Sequence, residues 1–230
     1  MGEMSKSCIY YTDNNIDEKI LSMCQKHIEE SGLPITSCSL KPIDFGDNYV
    51  LNEERSYPTM VKQILKVLVM SQSKYVFFCE HDVKYHITHF DFTPPRDDVF
   101  YYNTNNWRWD YPKDRVIHYD NLISLSMLCC NRELALNYYR NRLNTIESNG
   151  LDKIKSREPQ WVRRMGYEPG TKGKHKYFET WQSEYPNIDI RHSKTFSPPK
   201  VKLDKFKKAP VNWQERTLDK IEGWNLWTLA

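Results

Sequence analysis

Hydrophobic and polar positions form alternating blocks over the N-terminal part of the chain, and the period of the pattern changes from block to block. The β-prone run SCIYYT ends at the polar turn DNN, and apolar residues from Ile16 to Ile28 then recur at helical spacing until SGLP. A second strand is predicted in ITSCSLKPI, followed by a polar loop from Asp44 to Glu54. A second helix is predicted in SYPTMVKQILKVLVMSQS, where Ser56 can cap the first turn. The order is therefore strand, helix, strand, helix.

The most apolar block is KYVFFCEHDV, which has the length of a strand buried on both faces. Strands and helices that alternate in this way predict an α/β fold with a mixed, mostly parallel sheet flanked by helices. In such folds ligands bind at the carboxyl ends of the strands. Asp13 and the triplet Glu80-His81-Asp82 fall at two of those ends.

Beyond Val99 the pattern changes to aromatic strand-like segments. VFYYNTNNWRW and RVIHYD predict a hairpin around Pro112, the second half of LISLSMLCCNRELALNYYRNRLNTIES predicts a helix, and NIDIRH predicts a further strand. We therefore expect one domain over residues 1–198. Residues 199–230 form a basic extension containing Trp213, Trp224 and Trp227, which we expect to pack on the same domain.

Charge and composition narrow the functional classes only slightly. The net charge of +3 over 230 residues is too small to indicate a dedicated nucleic-acid-binding protein. The lysines of KVKLDKFKK surround the single Asp204 and indicate either a solvated segment or a region that attracts phosphate. The six cysteines show no CxxC spacing, and neither a leader segment nor an apolar run of about 20 residues is found. We expect a soluble intracellular protein with reduced, buried cysteines and no membrane span.

Glu80 and Asp82 are the first candidates for chemistry. On a strand their side chains point to the same side, and their oxygens suit Mg²⁺ or Mn²⁺. The alternative is a pair of solvated acids at a strand end. His81 would point to the other side, so the alternation predicts a packed or supporting role for it rather than ligation.

Four segments together resemble a known enzyme family: SYPTMVKQIL, KYVFFCEHDV, HFDFTPPRDDVFYYNTNNWRW and EYPNIDIRH. From about Ile9 to about Pro198 the chain is similar to small bacterial and phage glycosyltransferases of the GT-A fold, related to glycosyltransferase family 2. The resemblance implies a Rossmann-like GT-A sheet, a nucleotide-sugar donor that we expect to be UDP-linked, and a divalent metal. It also implies the cytoplasm of a bacterium or of a phage-infected host cell as the location.

The resemblance assigns the metal site to the triplet and to a late histidine. Asp82 is expected to be the closest ligand to Mn²⁺ or Mg²⁺, with Glu80 reaching the metal through water or binding the donor's ribose. The triplet reads Glu-His-Asp where the family more often has Asp-x-Asp. His192, at the end of NIDIRH, matches a histidine that completes the metal site in several GT-A enzymes.

The resemblance also places the donor. Tyr11, Thr12 and Asp13 match the position that holds the nucleobase and ribose, and Arg55 suits the donor's uracil or phosphate. Lys194 and the lysines after Pro199 are expected to form a lid over the diphosphate.

The acceptor side is less constrained. An inverting enzyme needs a carboxylate that deprotonates the acceptor hydroxyl, and Glu168 and Asp120 are the candidates, with Glu168 preferred because glycines flank it. A retaining enzyme would not need this base. Trp107 and Trp109 share one face of a predicted strand and either stack on the acceptor or belong to the core.

Several acceptors and two other functional classes stay open. A hydroxymethylated pyrimidine in DNA, a glycan, a lipid and a small molecule are all compatible acceptors, and the sequence does not indicate the oligomeric state. A metal-dependent phosphoesterase or nuclease would use the same carboxylates without a sugar donor. A non-catalytic nucleotide-binding module would bind its ligand without needing Asp82.

Overall fold

A computed structural model describes residues 5–150, 168–172, 177–195 and 200–224. A seven-stranded sheet forms the centre of the molecule, with the strand order β10-β6-β9-β4-β1-β2-β3. Strands β3, β2, β1 and β4 run parallel, β10 is parallel to β6, and β9 is antiparallel to both of its neighbours. The strands of this sheet are β1 (Lys6–Thr12), β2 (Ile35–Ser39), β3 (Asp47–Val50), β4 (Tyr75–Glu80), β6 (Phe100–Asn103), β9 (Leu128–Asn131) and β10 (Phe178–Trp181).

A second sheet of five strands has the order β12-β8-β7-β11-β5. Its strands are β5 (Val83–Lys84), β7 (Asn106–Trp109), β8 (Val116–His118), β11 (Asn187–Ile190) and β12 (Gln214–Arg216). Because β5 begins immediately after Asp82, the turn that follows β4 carries the chain from the large sheet into the small one. Strand β12 pairs antiparallel with β8, and the Trp224 indole donates a hydrogen bond to the Pro186 carbonyl, so the C-terminal segment packs on this sheet.

Three helices are capped by side chains at their N-termini. They are α1 (Glu18–Glu29), α2 (Tyr57–Met70) and α3 (Arg132–Ser148), with Asp17, Ser56 and Asn131 as the respective N-caps. Helices α2 and α3 contact each other, and α2 packs on β1 and β2 through its apolar face. Helix α1 packs through Ile20 and Cys24 against the small sheet. The large sheet therefore has α2 and α3 on one face, and the β5 region with the end of α1 on the other.

The predicted α/β class with a mostly parallel sheet is confirmed, while two local predictions differ from the structure. The loop predicted between Asp44 and Glu54 contains β3, an edge strand that pairs with β2. The aromatic run after Val99 divides into β6 in the large sheet and β7 in the small sheet, so only β7 and β8 form the predicted hairpin.

Two further expectations concern cysteines and membranes. All six cysteines are free and buried. Within the described parts of the chain, no helix combines the length and apolar character needed to cross a lipid bilayer.

Candidate functional site

A cleft of about 950 Å³ opens at the carboxyl ends of β1 and β4. Tyr11 and Glu80 are paired across these parallel strands, so the residues that follow both strands meet at one edge of the sheet. Ligands of α/β proteins bind at this edge because the strand ends leave a crevice there. The cleft therefore lies where the sequence predicts the functional site.

Asp82, His81 and His192 converge at this edge. Strand β4 ends at Glu80, and the turn that follows it carries His81 and Asp82. The Ile190 amide donates to the Asp82 carbonyl at 2.8 Å, which ties the end of β11 to this turn and brings His192 alongside. One ligand atom from each of the three side chains lies within 4.8 Å of the other two.

The donor set fits a divalent transition metal. His192 Nε2 lies 3.7 Å from Asp82 Oδ2, beyond hydrogen-bond distance but close enough for both atoms to reach one ion at about 2.1 Å. This nitrogen is buried and has no hydrogen-bond partner among the described residues. Two imidazoles and one carboxylate suit Mn²⁺ better than Mg²⁺, which prefers a shell of oxygens.

Thr12 supports the His81 ring. The His81 Nδ1 atom is hydrogen-bonded to the Thr12 hydroxyl oxygen, which also accepts from the Asn14 amide. That oxygen has two lone pairs and can accept from both groups. When Nδ1 carries the proton, Nε2 is the ring nitrogen available to an ion, and such a hydrogen bond commonly orients ligating histidines.

The alternation of side chains along a strand does not extend to His81 and Asp82, because β4 ends at Glu80. His81, which was expected to pack away from Asp82, belongs to the metal-capable group, whereas Glu80 does not. Glu80 instead accepts a hydrogen bond of 2.7 Å from the Tyr11 hydroxyl. Contact of Glu80 with the metal through water, or with the donor's ribose, stays a prediction.

The pKa values of Glu80 and Asp82 are shifted in opposite directions. Burial, together with the nearby Asp82 charge, raises the pKa of Glu80 to about 8, and the Tyr11 hydrogen bond only partly opposes this. Burial also acts to raise the pKa of Asp82, but the adjacent His192 imidazole and the charges of His81 and Arg191 outweigh it and leave that pKa lowered. At neutral pH Asp82 is the ionised member of the pair and Glu80 is mostly protonated.

The residues assigned to the donor lie together with one exception. Tyr11, Thr12, Asp13 and Arg55 all line the cleft. The Arg55 guanidinium forms an ion pair with Asp13 and donates to the Lys194 carbonyl at 3.1 Å. The Lys194 side chain is not among the groups that line the cleft, so its contact with the site is through its backbone.

The two candidate bases differ in position. Glu168 lines the cleft, and burial raises its pKa. Asp120 is exposed, lies outside the cleft and accepts a hydrogen bond of 2.6 Å from the side-chain amide of Asn212. Of these two carboxylates, only Glu168 is placed to meet a ligand in the cleft.

The two residues that follow Glu168 hold its loop close to β6. The Tyr102 hydroxyl of β6 donates to the Pro169 carbonyl at 2.6 Å. Gly170 has a φ of +76°, and a Cβ atom at this position would lie 2.7 Å from the Phe100 ring. A glycine is therefore required for the close approach of this loop to β6.

Trp107 and Trp109 lie away from the cleft. Each is only 6% exposed, and both belong to the cluster between the small sheet and α1. The Trp109 indole donates to the Lys113 carbonyl, and the Arg216 guanidinium covers the Trp107 ring. Of the two readings, stacking on an acceptor or packing in the core, this arrangement corresponds to the core.

Two arginines and a glutamine are among the cleft residues that were not predicted as site residues. Arg108 and Arg191 line the cleft and flank the buried Asp189, with nitrogen–oxygen distances of 3.5 and 3.2 Å. Gln63 of α2 lines it as well. In the sequence, Arg191 and Asp189 have the alternation of any half-buried strand, and Gln63 lies within an ordinary helical pattern, so neither carries a distinctive signal.

The lysine segment reaches the cleft. Lys200, Lys205, Lys207 and Lys208 line it together with Phe206, whose ring packs edge-on against Tyr119. These four exposed lysines form a basic wall beside the site, and their attraction of phosphate stays a prediction.

Comparisons with known proteins give distant similarities to solved structures. Among known protein families none matches the sequence, and no curated protein matches it either. Two solved structures that match are a glycosyltransferase involved in glycosylation of the major capsid of PBCV-1 and the apo form of the glycosyltransferase GlyE from Streptococcus pneumoniae TIGR4. The first has a TM-score of 0.44 and 8% identity, over 77% of this chain and 82% of that one.

The second has a TM-score of 0.46 and 9% identity, over 78% of this chain and 45% of that one, so the match spans less than half of its length. Similarities of this size carry no argument about the reaction. The function of this chain has to be argued from its own cleft.

Proposed function

We propose that this chain is a metal-dependent glycosyltransferase that transfers a sugar from a UDP-linked donor to an acceptor hydroxyl. The observation that carries the proposal is the convergence of His81, Asp82 and His192 at a cleft that His81 and Asp82 line and that also has a basic wall. A divalent cation and basic side chains both stabilise a nucleoside diphosphate leaving group, because negative charge builds up on it as the glycosidic bond breaks.

His81, Asp82 and His192 are the residues that would hold the cation. A divalent ion bound there would offset the charge of the diphosphate. The lowered pKa of Asp82 keeps this carboxylate ionised and able to ligate at neutral pH. Because two of the three donors are imidazoles, we propose Mn²⁺ as the physiological ion ahead of Mg²⁺.

Two arginines of the cleft, together with the basic wall, would bind the phosphates directly. Arg108 and Arg191 are held in place by Asp189, so their guanidinium groups are oriented before a ligand arrives. Lys205, Lys207 and Lys208 add positive charge from the C-terminal segment. We propose that this segment also covers the bound diphosphate and excludes water.

Glu168 is the residue we propose as the base of an inverting transfer. The acceptor oxygen forms a bond to the anomeric carbon while the bond from that carbon to the phosphate oxygen breaks, and the acceptor proton passes to Glu168. Burial raises the pKa of Glu168, which brings it closer to the operating pH and makes it a better proton acceptor. Asp120 is exposed and outside the cleft, so we do not assign it this role.

The acceptor class that we propose to test first is a hydroxymethylated pyrimidine in DNA. Lysines at the edge of the cleft provide the positive charge that a polynucleotide acceptor would contact. Glycan and small-molecule acceptors are the comparison set in the same screen.

Calorimetric binding of a panel of nucleotide sugars tests the proposal. Each is titrated into the wild type with Mn²⁺ and again with EDTA, and then into Asp82→Ala. The matched control is Asp44→Ala, because Asp44 is an exposed aspartate that does not line the cleft. We expect one nucleotide sugar to bind the wild type and the control with Mn²⁺, and to lose at least tenfold in affinity with EDTA or in Asp82→Ala.

Two results would overturn the proposal. Absence of binding by every nucleotide sugar and nucleoside diphosphate would remove the donor. Hydrolysis of phosphodiesters with Mn²⁺ and no sugar donor, abolished by Asp82→Ala, would assign the same residues to a nuclease.

A further inference from the structure

Gln63 is a buried amide whose orientation is fixed by its neighbours. It lies on the face of α2 that packs on the sheet, is 2% exposed, and lines the cleft. Its Nε2 donates to the Thr12 carbonyl at 2.7 Å and to the Cys38 carbonyl at 3.2 Å, at the ends of β1 and β2. Carbonyl oxygens only accept hydrogen bonds, so the NH₂ group has to face them and the amide cannot be flipped.

The other end of this amide is left for a ligand. Gln63 Oε1 accepts no hydrogen bond from any described residue, although Gln63 is almost fully buried. Gln63 Oε1 is not one of the fully buried polar atoms that lack a partner, so it is open to the cleft, where a ligand can donate to it. Leu40 and Met60 line the same cleft and provide apolar contacts for a flat ring. The site thus combines an apolar wall with one acceptor that has a fixed direction.

Resting on the proposed function, we infer that Gln63 selects the donor's nucleobase by accepting a hydrogen bond from a ring N–H on its pairing edge. Uracil N3–H and guanine N1–H meet this requirement. Cytosine N3 and adenine N1 present a lone pair at the corresponding position, which would face the lone pairs of Gln63 Oε1. Loss of a hydrogen bond that leaves a buried polar group unpaired gives strong discrimination in binding sites.

A cycle of protein and ligand changes tests the inference. Binding of UDP, GDP, CDP and ADP is measured with Mn²⁺ for the wild type, Gln63→Ala and Gln72→Ala. The same measurement is made with an N-methyl analogue, in which the ring N–H of the tighter-binding member of the pair UDP and GDP is methylated. Gln72 is the matched control because it is exposed and does not line the cleft. Thermal unfolding of each variant confirms that it is folded.

We expect UDP or GDP to bind the wild type and Gln72→Ala at least about tenfold more tightly than CDP, ADP or the N-methyl analogue. In Gln63→Ala these differences should fall to within about threefold, because alanine removes the acceptor and makes room for the methyl group. Equal discrimination in Gln63→Ala and the wild type would overturn the inference, as would tightest binding of CDP or ADP. Absence of binding by all four nucleotides would instead refute the proposed function on which the inference depends.

Discussion

Glu80 and Asp82 show how a single turn can give two carboxyl groups different tasks. Asp82 is buried and faces the imidazoles of His81 and His192, whereas Glu80 is half-buried and faces the Tyr11 hydroxyl. Two nearby carboxylates in a medium of low polarity do not both ionise easily, so the one with fewer cationic neighbours keeps its proton. A protonated Glu80 can donate a hydrogen bond to a ligand, which an ionised one cannot.

Replacing Glu80 by glutamine should change the pH dependence of stability in a defined direction. The pKa of Glu80 in the folded protein is about 8, above its ordinary value of 4.5, so the folded state retains a proton that the unfolded state releases. The stabilisation that this proton provides is complete below pH 4.5 and is lost as the pH rises to 8, by about 1.4 kcal/mol per pH unit. Glu80→Gln, which keeps an acceptor for Tyr11, should therefore gain stability relative to the wild type between pH 5 and pH 8.

Urea unfolding in EDTA measures this difference. Asp82→Asn is the matched comparison with the opposite sign, because the lowered pKa of Asp82 makes its contribution disappear only as the pH falls below about 4. A constant difference between Glu80→Gln and the wild type from pH 5 to pH 8 would show that Glu80 is ionised throughout.

The N-termini of α2 and α3 lie at opposite edges of the large sheet. Loss of either N-cap therefore distinguishes an effect on stability from an effect on ligand binding. Ser56 caps α2 by accepting from the Thr59 amide and lines the cleft. Asn131 caps α3 by accepting from the Glu133 amide, and it pairs with Tyr75 at the start of β4, the edge opposite the cleft.

Ser56→Ala and Asn131→Ala should each lower the free energy of unfolding by about 1 kcal/mol, the usual cost of a lost N-cap. Only Ser56→Ala should also weaken binding of the nucleotide ligand, because only Ser56 lines the cleft. Denaturant unfolding and calorimetry on the same two samples measure both quantities. Equal losses of affinity in the two variants would indicate that the effect on binding comes from general destabilisation.

His89 joins elements of both sheets. Its Nδ1 accepts from the side-chain amides of Asn103, at the end of β6, and Asn187, at the start of β11, each at 3.0 Å. Other bonds fix both amides, since Asn187 Oδ1 accepts from the His86 amide and Asn103 Oδ1 from the Asn105 amide. Protonation of Nδ1 would therefore oppose two N–H donors.

Low pH should weaken the hydrogen bonds by which His89 joins the two sheets. Burial lowers the pKa of His89 to about 3, so between pH 6.5 and pH 3 the unfolded chain binds a proton that the folded protein does not. Stability should fall with the pH over this range by about 1.4 kcal/mol per unit from this residue. His89→Asn, which retains an acceptor near Nδ1, should be less stable at pH 7 but should lose less stability than the wild type between pH 6 and pH 4. Parallel loss in both proteins, measured by urea unfolding, would contradict this.

The sequence predicts individual elements better than their pairing. The helical spacing of apolar residues locates α1 and α2, and the apolar run locates β4, because these signals are local. Strand β3 (Asp47–Val50) has no apolar run and exists through pairing with β2. The division of the aromatic run between two sheets depends on β9 and β11, which lie far away along the chain.

At the scale of the whole molecule, the site combines residues that are far apart along the chain but close together in the fold. Asp82 and His192 are predictable because each follows a strand, whereas the inclusion of His81 depends on where β4 ends. Gln63, Arg108 and Arg191 become visible as cleft residues only once α2, β7 and β11 are packed. The basic segment after Pro199 reaches the same cleft, so the charge of the site is distributed over most of the chain.

This distribution of charge should make ligand binding depend on salt through the lysines that line the cleft. Lys207→Ala/Lys208→Ala removes two of them, while Lys202→Ala/Lys220→Ala removes two exposed lysines that do not line it. Both pairs lower the net charge from +3 by two, to +1, so general attraction of an anion changes equally.

We expect the first pair to weaken binding of a nucleoside diphosphate by about tenfold at 50 mM NaCl and the second by less than threefold. At 0.5 M NaCl, where screening extends over only about 4 Å, the gap between the pairs should narrow but not close, because direct contacts to phosphate persist when long-range attraction is screened. Equal effects of the two pairs at every salt concentration would show that the segment acts only through net charge and does not bind the phosphates.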